Sequence, residues 1–241
     1  MPSLRLRRLL SRHAAEFVIV VVGVFVALWA DSYAEDRKQR VARTELLASL
    51  ASEIRTNAMA LDSAVKYESM TVGAMHRLMA IHDETDRVPS PDSLEALLGW
   101  ANSYRRAGQH GLSFGAYDAM IATGTSHLLP RREIGERLAR HRLALANGQG
   151  DEALAERAVE HMIAVMRAHG GLIAFMPEVM LERRGIAHRQ RARDTPRLLR
   201  DPAFADALFL RIIYETNIVS FYASQREELE RTLALLQEDS R

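Results

Sequence analysis

The sequence predicts an all-α protein: an N-terminal transmembrane helix running into a long amphipathic helix, with an antiparallel helical bundle outside the membrane. Three observations predict it. An uncharged, strongly apolar run fills residues 17–30 behind a cluster of arginines. From Arg37 to Glu84 there is no proline and one glycine, Gly73, and Leu47, Leu50, Ile54, Leu61 and Val65 recur at helical spacing. No stretch of useful length alternates apolar and polar residues as a half-buried strand does, and no fixed-period repeat is present.

The first element is carried by "EFVIVVVGVFVALWADSYAEDR", residues 16–37. Its 14 uncharged residues, Phe17 to Ala30, cover about 21 Å of helix, short of the roughly 30 Å hydrocarbon core. Extending the element from Ala14 to Ala34 gives 21 residues and about 31 Å, with Glu16 and Asp31 near the wet ends. Trp29 and Tyr33, four residues apart, share a face where interfacial aromatics anchor a span. A buried helix of a soluble domain would account for the apolar run but not for its all-round hydrophobicity or the arginines before it. A signal peptide is the stronger rival, because "SYA" puts Ser32 and Ala34 at the −3 and −1 positions of a cut before Glu35. Glu16 and Asp31 speak against it.

Arg5, Arg7, Arg8 and Arg12 against Glu16 give the first 16 residues +3, leaving −2 for the rest of a chain of net charge +1. Positive flanks stay cytoplasmic. The expected organisation is therefore a basic cytoplasmic N-terminus over 1–13, a transmembrane helix over 14–34 and a periplasmic α-helical domain over 35–241, at a bacterial inner membrane. Glu16, Gly23, Ala27, Ala30 and Ala34 line one stripe of the span, and "GVFVA" is a small-xxx-small pattern that lets another helix backbone approach. Arg12 stands one turn before Glu16 and is placed to pair with it.

Beyond the span, the long amphipathic helix is expected to continue it without a break. Asn57 falls on its apolar stripe, where a polar residue fixes register or accepts a buried partner. "DRVPSPDSLEALLGWA" ends that helix and starts another, with Ser90 as N-cap and Pro91 in the first turn. "NSYRRAGQHG" reads as a loop and "SFGAYDAMIATG" as a short helix ending at Gly124. "PRREIGERLARHRLALANGQGDEALAERAVEHMIAVMRAHGG" reads as helix broken or kinked around Gly148 and Gly150. Residues 176–196 are mixed and polar, and Asp201 with Pro202 opens a last helix.

The residues of 16–37, followed by "EIRTN", resemble the start of an uncharacterised bacterial family of single-span inner-membrane proteins, a domain of unknown function. Its members begin with a Gly-Val-x-x-Ala-Leu span, then an acidic or amide residue, an aromatic and a charged helix. "YDAMIATGTSHLLPRREIGERLARH" is similar to that family's second segment. The resemblance covers about a third of the chain and implies a single-span anchored helical protein; it implies no activity.

Chemistry-bearing motifs are sparse. "GLSFG", residues 111–115, satisfies G-x-S-x-G, but a nucleophile elbow needs a buried strand before Ser113, which "ANSYRRAGQH" is not. His127 and Asp118 follow without a sheet to aim them. The nine histidines form no HxxxH or HExxH pair; His76, His82, Asp83 and Glu84 are poorly spaced for one metal. Gly148 and Gly150 lack the strand and Lys-Ser/Thr of a phosphate loop. With no cysteine, disulfides and thiolate chemistry are excluded. No cofactor is expected.

Residues 182–200 hold a basic patch, Arg183, Arg184, Arg189, Arg191, Arg193, Arg197 and Arg200, without aromatics to stack on bases. It reads as a solvated loop pairing with neighbouring acids, or as a surface for anionic headgroups or an acidic partner. Nucleic acid is not expected. The expected function is a non-catalytic, membrane-anchored interaction or ligand-binding module. Its partners are the lipid bilayer and a membrane protein or second copy packed on the span; about 16 cytoplasmic residues leave no room for an output domain. The alternatives are a secreted or anchored hydrolase using Ser113, and a soluble periplasmic helical protein released at Ala34.

Overall fold

The computed structural model describes residues 3–83, 90–103, 111–170 and 195–238, with the backbone alone for residues 3–20, 91, 92, 149 and 195. The described residues are all-helical. Helix α1 runs from Ser3 to Asp83, α2 from Pro91 to Ala101 and α3 from Gly115 to Ala122. A 3₁₀ turn, Thr125–Leu128, leads into α4, Arg132–Ala168; α5 is Thr195–Leu199 and α6 is Pro202–Glu238.

Helix α1 is 81 residues long, about 120 Å at a rise of about 1.5 Å per residue. No proline interrupts it before Pro89, so nothing removes a backbone donor along its length. Its two halves behave differently. Residues 22–45 are exposed without exception, whereas Leu50, Ile54, Leu61, Ala64, Met75 and Leu78 are buried at helical intervals. Only the second half belongs to the packed body; the first protrudes from it.

In the body, α6 lies between α1 and α4 and runs antiparallel to both. Against α1, Arg226 pairs with Asp62 at 3.0 Å, and the Leu199 carbonyl just before α6 accepts His82 Nδ1–H at 2.6 Å. Against α4, Arg131 pairs with Glu238, Arg137 with Glu228 at 2.6 Å, and His169 with Asp201 at 2.6 Å. Two apolar clusters result. One joins Leu50, Ile54 and Leu61 of α1 to Ile134 and Leu138 of α4 and Tyr222 and Leu229 of α6. The other joins Met75 and Leu78 to α2, α5, Met162 and Met166 of α4 and Phe204 and Leu208 of α6.

Between the clusters lies a buried polar layer. Glu68 and Thr71 of α1 and Arg211 and Glu215 of α6 are all fully buried. Arg211 holds Glu215 at 3.3 Å and donates to the Ser103 carbonyl at the end of α2. Burial pushes the Glu215 carboxyl up, against the pull of Arg211 and of a hydrogen bond with Glu68.

The caps follow the sequence. Ser90 Oγ accepts Ser93 N–H, with Pro91 in the first turn of α2. Asp201 Oδ1 accepts Ala203 N–H at 2.9 Å at the start of α6. Gly124, after α3, takes φ +67°, a conformation that favours glycine.

One expectation is corrected. Helix α4 continues unbroken through Gly148 and Gly150. Gly148 is buried, and a Cβ there would stand 2.8 Å from Phe221 Cε1. That glycine lets α4 approach α6; it does not end the helix.

Candidate functional site: the protruding helix and its junction with the body

Over Val22 to Ala30 the protruding part of α1 is apolar on every side. Val22, Val24, Phe25, Val26 and Leu28 are 53–68 % exposed, and Trp29 is 70 % exposed. Consecutive residues of a helix point about 100° apart, so no single face of this segment is the hydrophobic one. Among the described residues nothing covers this segment, whereas a core helix of the packed body would be buried. A contiguous apolar surface of this kind marks a membrane or protein contact.

Gly23 has nothing within 4 Å of where a Cβ would stand. Ala27, Ala30 and Ala34 continue its stripe, all exposed; the side chain of Glu16, predicted on the same stripe, lies outside the described residues. Trp29 and Tyr33 stack with ring centroids 5.9 Å apart and planes 22° from parallel. Past Ala34, a shallow groove of about 590 Å³ follows the same side of α1, lined by Tyr33, Ala34, Arg37, Lys38, Val41, Ala42 and Glu45.

Among the described residues no helix is long and apolar enough to cross a membrane. The described side chains begin at Val21, inside the apolar run. From Val21 to Ala30 they cover about 15 Å of helix, half of the roughly 30 Å core.

The junction with the body is formed by the loop that contains Ser113. Asn57 Nδ2 donates to the Ser113 carbonyl at 2.7 Å, and Asn57 Oδ1 accepts Ser113 N–H at 2.9 Å. One turn earlier on α1, Glu53 caps α3: its carboxylate accepts Ala116 N–H at 2.7 Å and Tyr117 N–H at 3.2 Å. The Ser113 hydroxyl is exposed and accepts Gly115 N–H at 3.5 Å. Among the described residues it has no histidine partner. His127 Nδ1 is bonded to the Gly124 carbonyl at 3.0 Å, and Asp118 pairs with Arg142.

Sequence reasoning placed Asn57 and Ser113 but did not connect them, and it missed Glu53. The available signal was an acidic residue one turn before Asn57, on the same face.

Two clefts flank this junction. A groove of about 530 Å³ lies between α3, the 3₁₀ turn and the start of α4, lined largely by Tyr117, Met120, Ile121, Leu129 and Ala139. A cleft of about 380 Å³ separates the 3₁₀ turn from α1, with Asp36, Gln39, Arg40 and Arg43 on one side and His127 to Pro130 on the other.

Of the predicted basic patch, Arg183, Arg184, Arg189, Arg191 and Arg193 lie outside the described residues. Arg197 in α5 and Arg200 after it are exposed. Arg197 helps His169 hold the Asp201 carboxyl below its ordinary range, the His169 hydrogen bond being the larger cause. Of the residues judged poorly spaced for one metal, His82 is bonded to the Leu199 carbonyl and Glu84 lies outside the described residues. No group of metal-ligating side chains occurs among the described residues.

No protein-family profile, curated protein or solved structure matches the chain.

Proposed function

We propose that this chain is a membrane-anchored, non-catalytic interaction or ligand-binding module. Residues 14–34 are the single span of a bacterial inner-membrane protein, with the N-terminus cytoplasmic and an antiparallel helical bundle on the periplasmic side. Membership of the single-span family that residues 16–57 resemble belongs to the same reading.

The observation that carries it is the protruding half of α1, where Val22 to Trp29 is exposed and apolar in all directions. In water such a surface is unfavourable by roughly 25 cal/mol per Å² of apolar area, and a bilayer removes that cost. The arginines at 5, 7, 8 and 12 support the orientation. The open Gly23–Ala27–Ala30–Ala34 stripe, continued by the groove from Tyr33 to Glu45, supports packing against another helix, from a membrane partner or a second copy.

The test is the intact mass of protein extracted from washed membranes. Full-length protein near 27.1 kDa in the membrane fraction supports an uncleaved anchor. A mass lighter by the first 34 residues, or protein only in the soluble fraction, refutes it.

A further inference from the structure

The two clefts at the junction share a wall. His127 and Leu129 line both the apolar groove and the cleft against α1, so the two are neighbouring compartments of unlike chemistry. The groove offers Met120, Ile121 and Leu129, with Arg132 and Glu136 on its rim paired to each other at 2.7 Å. The cleft offers Arg40 and Arg43. Arg40 donates Nε–H to the Asp36 carbonyl at 3.3 Å, and neither guanidinium has a carboxylate partner among the described residues. Asp36 also lines the cleft and offsets one of the two positive charges.

We propose that this junction binds one anionic phospholipid, its phosphodiester held by Arg40 and Arg43 and its tail laid in the groove under Ile121. Guanidinium groups give phosphate oxygens paired, charge-assisted hydrogen bonds, and net charge selects the head, because the ammonium of a zwitterionic headgroup would meet Arg40 and Arg43 as a like charge. The apolar groove next to it selects a tail, and its size falls within the usual range of about 300–1,000 Å³ for ligand pockets.

The source of the lipid rests on the anchored reading above. Arg40 and Arg43 stand six and nine residues past Ala34, about 9 and 14 Å along the helix. The headgroup layer is about 5–7 Å thick on each side of the core, so the junction sits just above it. The chain would take the lipid at the membrane surface and hold it there.

The test uses full-length protein in detergent, titrated with phosphatidylglycerol, phosphatidylethanolamine or inorganic phosphate and read by native mass spectrometry. The expected result is a single phosphatidylglycerol adduct, with apparent affinity reduced about tenfold or more by R40Q/R43Q. Ile121→Glu, which puts a charge where the tail lies, should reduce it comparably while helical content and melting temperature stay unchanged. Equal binding of phosphatidylethanolamine overturns the proposal, as does binding of phosphate alone or indifference to both variants. Retention in washed membranes separates the two readings. Retained protein that binds no phosphatidylglycerol sinks the lipid site alone; soluble protein that binds it sinks the anchor alone.

Discussion

The Asn57 side chain and the Ser113 backbone are matched donor to acceptor, Nδ2–H to the carbonyl at 2.7 Å and N–H to Oδ1 at 2.9 Å. A primary amide is the side chain that does this, because it carries one donor and one acceptor at peptide spacing. Asn57 is buried, and its replacement by an apolar residue would leave the part-buried Ser113 N–H and carbonyl without these partners. Asn57→Leu should destabilise the protein by about 2–4 kcal/mol. Asn57→Asp should cost a similar amount, since its carboxylate would face the Ser113 carbonyl with no proton to give. Thermal unfolding followed by circular dichroism in one detergent reads both; a loss under about 0.5 kcal/mol would show that the loop is not held this way.

Gly148 and Gly150 predict opposite outcomes from the same substitution. At Gly148 a Cβ would meet Phe221 Cε1 at 2.8 Å and Cζ at 3.0 Å, and at Gly150 it would meet nothing within 4 Å. Gly150→Ala should stabilise by about 0.5–1 kcal/mol through helix propensity. Gly148→Ala gains the same propensity but must displace the Phe221 ring, with a net loss of about 1 kcal/mol. Equal melting shifts would refute the close approach of α4 to α6.

His141 sets a pH dependence. It is buried against Phe114, its Nδ1–H bonded to Gln225 Oε1 at 2.8 Å, while Nε2 is buried without a hydrogen bond. Burial holds it below the ordinary 6.5, although Gln225 and the Glu228 charge pull the other way. A depressed folded pKa means that the contribution is fully present above 6.5 and is lost as pH falls through the folded value. Between about pH 7.5 and about pH 5.5 the wild type should therefore lose stability that His141→Gln does not. Parallel pH profiles for the two proteins would remove His141 from the account.

The buried Arg211 predicts asymmetric double-mutant behaviour. Arg211→Met leaves the Glu215 carboxyl buried without its cation and should cost about 3–5 kcal/mol. R211M/E215Q should be less destabilised than R211M alone, because the second change removes the orphaned charge. Additive losses would mean that the two residues do not act as a pair.

The Gly23 stripe predicts a directional cross-linking pattern. The chain has no cysteine, so a single one can be placed at will. Cysteine at Ala27 should cross-link in membranes, whereas cysteine at Phe25, about 200° away around the helix, should not. Gly23→Ile should lower the Ala27 yield several-fold by keeping backbones apart. Equal yields at both positions would leave the stripe without a partner.

Much of the helical content was legible because it depends on local rules. The spacing of Leu50, Ile54 and Leu61, the cap at Ser90 and the Asp201–Pro202 start report on the backbone within a few residues of themselves. The Gly148 expectation went the other way. A glycine in a helical pattern weakens the local helix, and nothing local announces that Phe221, 73 positions later, needs the space.

The sequence by itself determined the helical class, the place of the apolar run and the polar exception at Asn57, since each follows from periodicity or composition. Only the tertiary structure decided that α6 lies between α1 and α4, that Glu53 and Asn57 hold the Ser113 loop, and that Arg211 is buried beside Glu215. It also left residues 22–45 of α1 exposed among the described residues. The contacts between elements join residues far apart in the chain, 56 positions for Asn57–Ser113 and 164 for Asp62–Arg226. They are set by which faces bury together when the helices pack, a choice that no local pattern contains.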